Sequence, residues 1–142
     1  MKKKKILIVS ANYYSSISKE MESKTVEYLE DNFNDHIFSQ KGKFISTVPG
    51  VFEIPVVIAR NIRKFDGFIA LGCVIKGETP HFELISQATI DAIMKLSIDY
   101  KKPIGNGIIT CLNKKQAKER ISKGIDALNA VISVLSQRNY HY

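Results

Sequence analysis

The sequence predicts an α/β protein in which helices cover both faces of a four-stranded parallel sheet, a three-layer α/β/α sandwich. Apolar runs of strand length alternate along the 142 residues with stretches whose apolar residues recur at helical spacing. The strand-like runs are apolar almost without interruption, which is typical of parallel strands buried on both faces. The length and the 44% content of hydrophobic residues suit a single domain spanning residues 1–142.

The first strand and the first helix are predicted from the start of the chain. Residues 6–9 form a short apolar run that indicates a buried strand, and a polar loop follows at residues 10–14. Ser15 or Ser16 can then cap a helix that ends between residues 32 and 35.

The second strand is interrupted or preceded by a turn, because apolar pairs at residues 37–38 and 44–45 flank a Lys-Gly-Lys bend. After a Pro-Gly turn, a helix is predicted over residues 51–64. Pro55 is compatible with this helix because it falls in the first turn, where its missing N–H group costs no hydrogen bond.

The second half of the chain repeats the alternation of strand and helix. Its apolar residues recur at helical spacing after Pro80, and Pro103 ends the connection to the last strand. The predicted elements are a strand at residues 67–74, a helix from Thr79 or Pro80 to about Tyr100, a strand at residues 104–111, and a helix from residue 114 to about 137 that is interrupted near Gly124.

The formal net charge of +7 raises the question of nucleic-acid binding. We interpret residues 1–5, with their four lysines, as a solvated basic tail, and the other basic residues are scattered among acidic ones. Without an aromatic-rich basic strand we expect no nucleic-acid partner. Because no apolar run approaches the roughly 20 residues of a membrane span and no signal-like cleavage site follows the lysines, we expect a cytoplasmic protein without a membrane contact.

The two cysteines, Cys73 and Cys111, each lie at the end of a predicted buried strand. Free cysteine in such a place behaves as a small hydrophobic residue. We therefore interpret both as core residues in preference to catalytic or metal-binding ones.

Four loops are expected to meet at one edge of the sheet, because ligands of parallel sheets bind at the carboxyl ends of the strands. These loops are residues 10–14, residues 48–53, residues 73–81 and the end of the fourth strand. The third loop joins a buried strand to a helix, and the free N–H groups at the start of a helix attract anions.

This third loop nearly matches a phosphate-binding P-loop. Gly72, Gly77 and Thr79 occupy the defined positions, but Glu78 replaces the lysine that precedes the threonine. A carboxylate there repels the phosphates of a nucleotide, which excludes nucleoside triphosphates as ligands. The backbone amides and the Thr79 hydroxyl can still hold a single phosphate if a cation balances its charge.

The candidate cations are Lys76 and Arg120, although Arg120 alone also fits a solvated helix residue. His81, beside the predicted phosphate loop, can be a capping or packing histidine. Alternatively, its imidazole can accept a proton from an amine or carbon acid and deliver it to a leaving group.

Two further segments carry groups that suit an organic substrate. Glu53 either interacts with a helix dipole or accepts hydrogen bonds from a polyol. Tyr13 and Tyr14 offer aromatic faces to a flat ring, and we expect one of the two to belong to the core.

Four segments resemble, in order and spacing, those of the 6,7-dimethyl-8-ribityllumazine synthase family: residues 48–55, 71–82, 103–110 and 116–120. The resemblance implies a flavodoxin-like strand order and a transferase of riboflavin biosynthesis. Such an enzyme condenses 5-amino-6-(D-ribitylamino)uracil with 3,4-dihydroxy-2-butanone 4-phosphate to 6,7-dimethyl-8-ribityllumazine, phosphate and water. It uses no metal and no organic cofactor.

The resemblance also implies roles for the matching residues of the pyrimidine side. One aromatic residue stacks on the pyrimidine, three residues hold the ribityl chain, and the backbone of three more contacts the uracil ring. The stacking residue is Tyr13. The ribityl chain is held by Val51, Phe52 and Glu53, and the uracil ring is contacted by the backbone of Cys73, Val74 and Ile75.

On the phosphate side, the resemblance implies that Glu78 and Thr79 form the phosphate loop and that Arg120 pairs with the phosphate. His81 matches the proton-transfer histidine. Asn106 matches a residue that contacts the pyrimidine, here through its backbone. Asn106 and Arg120 are implied to reach the site from a neighbouring subunit.

Two departures from the family bear on assembly. The connection after Arg120 is short and so is the amino-terminal arm, and both regions help pentamers associate in capsid-forming relatives. We therefore expect a homopentamer, free or paired, with sites between subunits. The alternative function is a non-catalytic member of the fold that binds riboflavin or a lumazine.

Overall fold

Four parallel strands form a single sheet, in a computed structural model that describes residues 3–33, 44–78 and 80–137. In chain order the strands are β1 (Ile6–Ala11), β2 (Phe44–Val48), β3 (Gly67–Ile75) and β4 (Ile104–Cys111). They lie in the order β2-β1-β3-β4, and every neighbouring pair is parallel. The predicted fold class and the flavodoxin-like order are confirmed.

Helices cover both faces of this sheet. They are α1 (Ser15–Asn32), α2 (Ile54–Asn61), α3 (Phe82–Tyr100), α4 (Lys114–Glu119) and α5 (Lys123–Leu135), with a 3-10 turn at Val51–Glu53. One core cluster lies between the sheet and α1, α4 and α5, and the other between the sheet and α2 and α3. Among the described helices, none is long and apolar enough to cross a membrane.

The strands follow the sequence prediction closely. β1 and β3 are buried along their whole length, as expected for central strands covered on both sides. β4 has the predicted bounds, and β2 begins at Phe44. The apolar pair at residues 37–38 lies outside the described residues.

Two predicted helix boundaries are wrong. Residues 51–64 form a 3-10 turn and the shorter α2, because the Glu53 N–H donates to the Gly50 carbonyl three residues back and this tighter turn precedes the α-helix. The helix expected from Thr79 or Pro80 begins at Phe82. Gly77 has the left-handed φ of 88° and His81 is still non-helical, so the chain becomes helical only after it.

The carboxyl-terminal helix is interrupted at residues 120–122, between α4 and α5, close to the break predicted near Gly124. Gly124 lies in the first turn of α5, and a Cβ atom there would lie 2.4 Å from Thr25 Oγ1 of α1. This glycine therefore allows α5 to pack closely against α1, and the turn before it buries Ile121.

The basic residues are less scattered than the sequence suggests. A cavity of about 210 Å³ is lined by Lys3, Lys4, Lys5, Arg63, Lys64, Phe65, Asp66 and Lys102. It lies at the amino ends of β1 and β3, where the Lys5 N–H donates to Asp66 Oδ2 at 2.8 Å. Lys102 Nζ donates to the Ile62 carbonyl just after α2 at 2.6 Å. Cations are favourable beside the free carbonyls at the end of a helix.

Candidate active site

A cavity of about 830 Å³ lies at the carboxyl ends of β1 and β3. Its walls come from the loop after β1, the turn before α2, the end of β3 with its loop, and the start of α3. The lining residues are Tyr13, Tyr14, Gly50, Val51, Phe52, Glu53, Cys73, Val74, Glu78, Pro80, His81, Leu84, Ile85 and Ala88. Three of the four loops expected at this edge therefore meet.

The end of β4, the fourth expected contributor, does not line the cavity. The Cys111 carbonyl accepts a hydrogen bond from the Lys76 N–H at 2.8 Å, so β4 and the chain beyond β3 continue to pair. The last residues of β4 are thus held in the sheet and contribute no loop to this space.

The two tyrosines after β1 have different environments. Tyr13 is 72% exposed, whereas Tyr14 is partly buried and packs against the core cluster of α1 and α5. Their rings meet edge to face, with centroids 4.9 Å apart and planes at 82°. The expectation that one of the pair belongs to the core is confirmed for Tyr14, and Tyr13 is left as the accessible aromatic surface.

Glu53 is held by the turn that it helps to form. Its Oε1 accepts a hydrogen bond from the Gly50 N–H at 3.0 Å. Only Oε1 takes part in this bond, so Oε2 can accept a hydrogen bond from a ligand hydroxyl. Beside it, Phe52 is 61% exposed and Val51 is buried.

The Glu78 side chain is held by a tyrosine of the segment after β1. Its Oε2 accepts a hydrogen bond from the Tyr14 hydroxyl at 2.7 Å. Burial, and then this bond to the carboxylate, raise the pKa of Tyr14 above its ordinary value. The hydroxyl therefore stays protonated and serves as the donor.

The loop from Gly77 to His81 leads into the start of α3. His81 is the N-cap residue of the helix, and its carbonyl accepts the first hydrogen bond, from the Ile85 N–H at 2.8 Å. The first N–H groups of this 19-residue helix, which have no intrahelical acceptor, follow His81 directly in the chain. Thr79 lies outside the described residues.

Cys73 and Cys111 are both buried free thiols, which confirms their interpretation as core residues. Cys73 also borders the cavity. Burial, and then the neighbouring Cys111, raise the pKa of Cys73 to about 12. A thiol with this pKa is neutral near pH 7 and is a poor nucleophile.

Three predicted site residues do not line this cavity in the same chain. Ile75 is buried in the core, which leaves only its backbone for a ligand. Asn106 pairs with Ala70, three residues and roughly 10 Å before Cys73, where β3 borders the cavity. The exposed Arg120 donates from one guanidinium nitrogen to the Thr110 carbonyl at 2.9 Å.

The charged side chains that line the cavity are carboxylates. Its lining contains the carboxylates of Glu53 and Glu78, and no lysine or arginine of the described residues belongs to it. Lys76, one of the two candidate cations, instead lies 3.7 Å from the Glu83 carboxylate on the exposed surface. The described residues of one chain therefore bring no lysine or arginine to this cavity to balance an anion.

Comparison with known proteins accounts for this combination of fold and site. A sequence model of the family described as 6,7-dimethyl-8-ribityllumazine synthase matches residues 3–139. The chain belongs to this family. A 6,7-dimethyl-8-ribityllumazine synthase of Bartonella bacilliformis is 41% identical over 123 residues, covering 84% of this chain and 76% of the relative.

More distant members align over still more of the chain. The protein named 6,7-dimethyl-8-ribityllumazine synthase 1 of Rhodopseudomonas palustris is 37% identical, covering 92% of this chain and 83% of the relative. The 6,7-dimethyl-8-ribityllumazine synthase of Campylobacter curvus is 33% identical, covering 94% and 88%.

In this member of the lumazine synthase family, sequence reasoning missed the apolar wall contributed by α3. Leu84, Ile85 and Ala88 line the cavity, and Leu84 is 71% exposed. The spacing of these residues places them on one side of the first two turns. The sequence does carry a signal for this wall: Leu84 is an apolar residue near the start of a helix that follows a predicted ligand loop.

Proposed function

We propose that the chain is a transferase that condenses 5-amino-6-(D-ribitylamino)uracil with 3,4-dihydroxy-2-butanone 4-phosphate to 6,7-dimethyl-8-ribityllumazine. It would act in the cytoplasm, without metal or organic cofactor, at the penultimate step of riboflavin biosynthesis. The observation that carries this proposal is that a chain of this family brings an exposed aromatic ring, an anchored carboxylate and a histidine to one cavity: Tyr13, Glu53 and His81.

The pyrimidine substrate fits the side formed by β1, β3 and the 3-10 turn. Tyr13 offers an exposed ring for stacking, which stabilises a flat heterocycle. Glu53 Oε2 accepts from the ribityl hydroxyls, beside Val51 and Phe52. The backbone of residues 73–75 at the end of β3 contacts the uracil edge.

The phosphate fits the other side, between Glu78 and the start of α3. The backbone N–H groups of the loop and the helix terminus, with the Thr79 hydroxyl, would hold it. Glu78 and His81, three positions apart in the chain, both line the cavity.

The reaction then follows from placing the two substrates face to face. The 5-amino group attacks the ketone and the imine forms with loss of one water. Loss of the proton from C3 of the butanone unit expels phosphate from C4 and leaves an enol. The enol takes a proton at its terminal carbon and becomes a methyl ketone, and the ribitylamino nitrogen closes the ring on this new carbonyl with loss of a second water. His81 moves protons between carbon, nitrogen and the leaving groups.

A neighbouring subunit would supply the missing cation. The cavity has two carboxylates and no lysine or arginine among the described lining residues, whereas Arg120 is exposed outside it. We assign Arg120 of an adjacent chain to the phosphate and Asn106 of that chain to the pyrimidine. A homopentamer with sites between subunits meets this requirement.

The direct test of the activity is to mix the purified protein with both substrates and to record lumazine absorbance and fluorescence together with phosphate release. We expect equal amounts of lumazine and phosphate. Binding of riboflavin or lumazine without any product formation would instead support the non-catalytic alternative.

The assembly makes a separate prediction. Five chains of 16.0 kDa form a particle of about 80 kDa. We expect sedimentation equilibrium at micromolar protein to give this mass, or twice this mass if pentamers pair. A 16.0-kDa monomer at working concentration, or a particle of icosahedral-shell mass, would contradict the proposed assembly.

A further inference from the structure

A hydrogen bond between side chains joins two walls of the cavity. Tyr14 is the N-cap residue of α1, and Glu78 lies 64 residues later, in the loop after β3. The Tyr14 hydroxyl donates to Glu78 Oε2 at 2.7 Å, and both residues line the cavity.

The ring of Tyr14 is fixed on two sides. It packs against the core cluster of α1 and α5, and its edge-to-face contact with Tyr13 has a centroid distance of 4.9 Å. These contacts hold the ring from which the hydroxyl reaches Glu78. Glu78, by contrast, is an exposed side chain on a turn.

The start of α3 offers the Glu78 carboxylate a competing partner. The first N–H groups of a helix have no intrahelical acceptor, and they attract any nearby anion. Glu78 precedes Phe82, the first helical residue, by four positions. A carboxylate released from Tyr14 can therefore approach the donors that a phosphate needs, and its charge repels that phosphate.

We propose that Tyr14 is a positioning residue whose hydroxyl holds the Glu78 carboxylate at the α1 side of the cavity and so keeps it away from the phosphate donors of α3. This inference rests on the proposed function. It assigns to Tyr14 a selective effect on the phosphate-bearing substrate, although the tyrosine itself does not touch the phosphate.

The test is the Tyr14→Phe substitution, which removes the hydroxyl and keeps the ring contacts. We expect KM for the butanone phosphate to rise about 3- to 10-fold, the effect of one lost hydrogen bond, with kcat and KM for the pyrimidine nearly unchanged. Tyr28→Phe is the matched control, because the Tyr28 hydroxyl contacts Asn129 outside the cavity. This control should match the unmodified protein.

Substitutions of Glu78 separate positioning from a general structural effect. Glu78→Asp keeps the charge but shortens the side chain, so it should raise the same KM as Tyr14→Phe does. In Glu78→Gln there is no charge to restrain, so adding Tyr14→Phe should leave KM for the butanone phosphate as it is in Glu78→Gln alone.

The KM values of these variants support or overturn the role proposed for Tyr14. A rise in KM of the same size in the presence and absence of the Glu78 charge, or no rise in Tyr14→Phe or Glu78→Asp, would overturn it. Thermal unfolding of each variant shows that the comparison is made on folded protein. If the unmodified protein forms no lumazine at all, the proposed function fails; if it forms lumazine and Tyr14→Phe is unaltered, only this inference fails.

Discussion

Arg120→Ala is expected to raise KM for the butanone phosphate by about 10- to 100-fold, because a hydrogen bond to a charged group is among the stronger polar interactions. The cavity in one chain has no lysine or arginine among its described lining residues, so no neighbouring permanent cation replaces the lost guanidinium. One guanidinium nitrogen already donates to the Thr110 carbonyl, which orients the group and leaves other donors for a phosphate. Steady-state kinetics with each substrate varied in turn measures the effect.

The assignment of Arg120 to the phosphate requires that the rise in KM be specific for the butanone phosphate. Arg120→Lys should restore only part of the affinity, because lysine keeps the charge and loses the planar, two-pronged geometry. Arg60→Ala removes an exposed arginine at the end of α2 and serves as the control. An effect of Arg120→Ala confined to the pyrimidine substrate would contradict the assignment of Arg120 to the phosphate.

His81→Ala is expected to lower kcat by about 100-fold without abolishing turnover, since general acid–base catalysis contributes at least this much in many enzymes. The residual rate would come from the alignment of the two substrates, which the cavity still provides. The His81 side chain makes no hydrogen bond that caps α3, so the helix should persist in the variant.

The measurement is single-turnover formation of lumazine at saturating substrates. Circular dichroism and thermal unfolding serve as controls for the fold. Added imidazole should restore part of the rate if a lost proton carrier is the cause. An unchanged rate in His81→Ala would remove the proton-transfer role.

The sheet could be predicted well because its signal is local. Strands buried on both faces need uninterrupted apolar residues, and the run over residues 104–111 gave β4 its observed bounds. The helix starts were less predictable. Pro80 suits the first position of a helix, but His81 is still non-helical and the helix begins only at Phe82.

Part of the candidate site could be predicted because the order of the strands determines which loops meet. Tyr13, Glu53 and His81 each lie in a loop that a parallel sheet brings to its carboxyl edge, so topology alone brings them together. The bond between Tyr14 and Glu78 depends on two side chains 64 residues apart, and no local pattern encodes it. The gathering of Lys3 with Arg63 at the opposite edge likewise needed the folded chain.

The central claim is that one complete site needs two chains. Co-expression of His81→Ala with Arg120→Ala tests it, because some interfaces then combine His81 of one chain with Arg120 of its neighbour. In randomly mixed rings about one site in four is native, so we expect about a quarter of the unmodified activity, far above either variant alone. Arg120→Ala co-expressed with a chain carrying both substitutions is the matched control and should gain nothing. Activity of the mixed rings no higher than the mean of the two single variants would contradict a shared site.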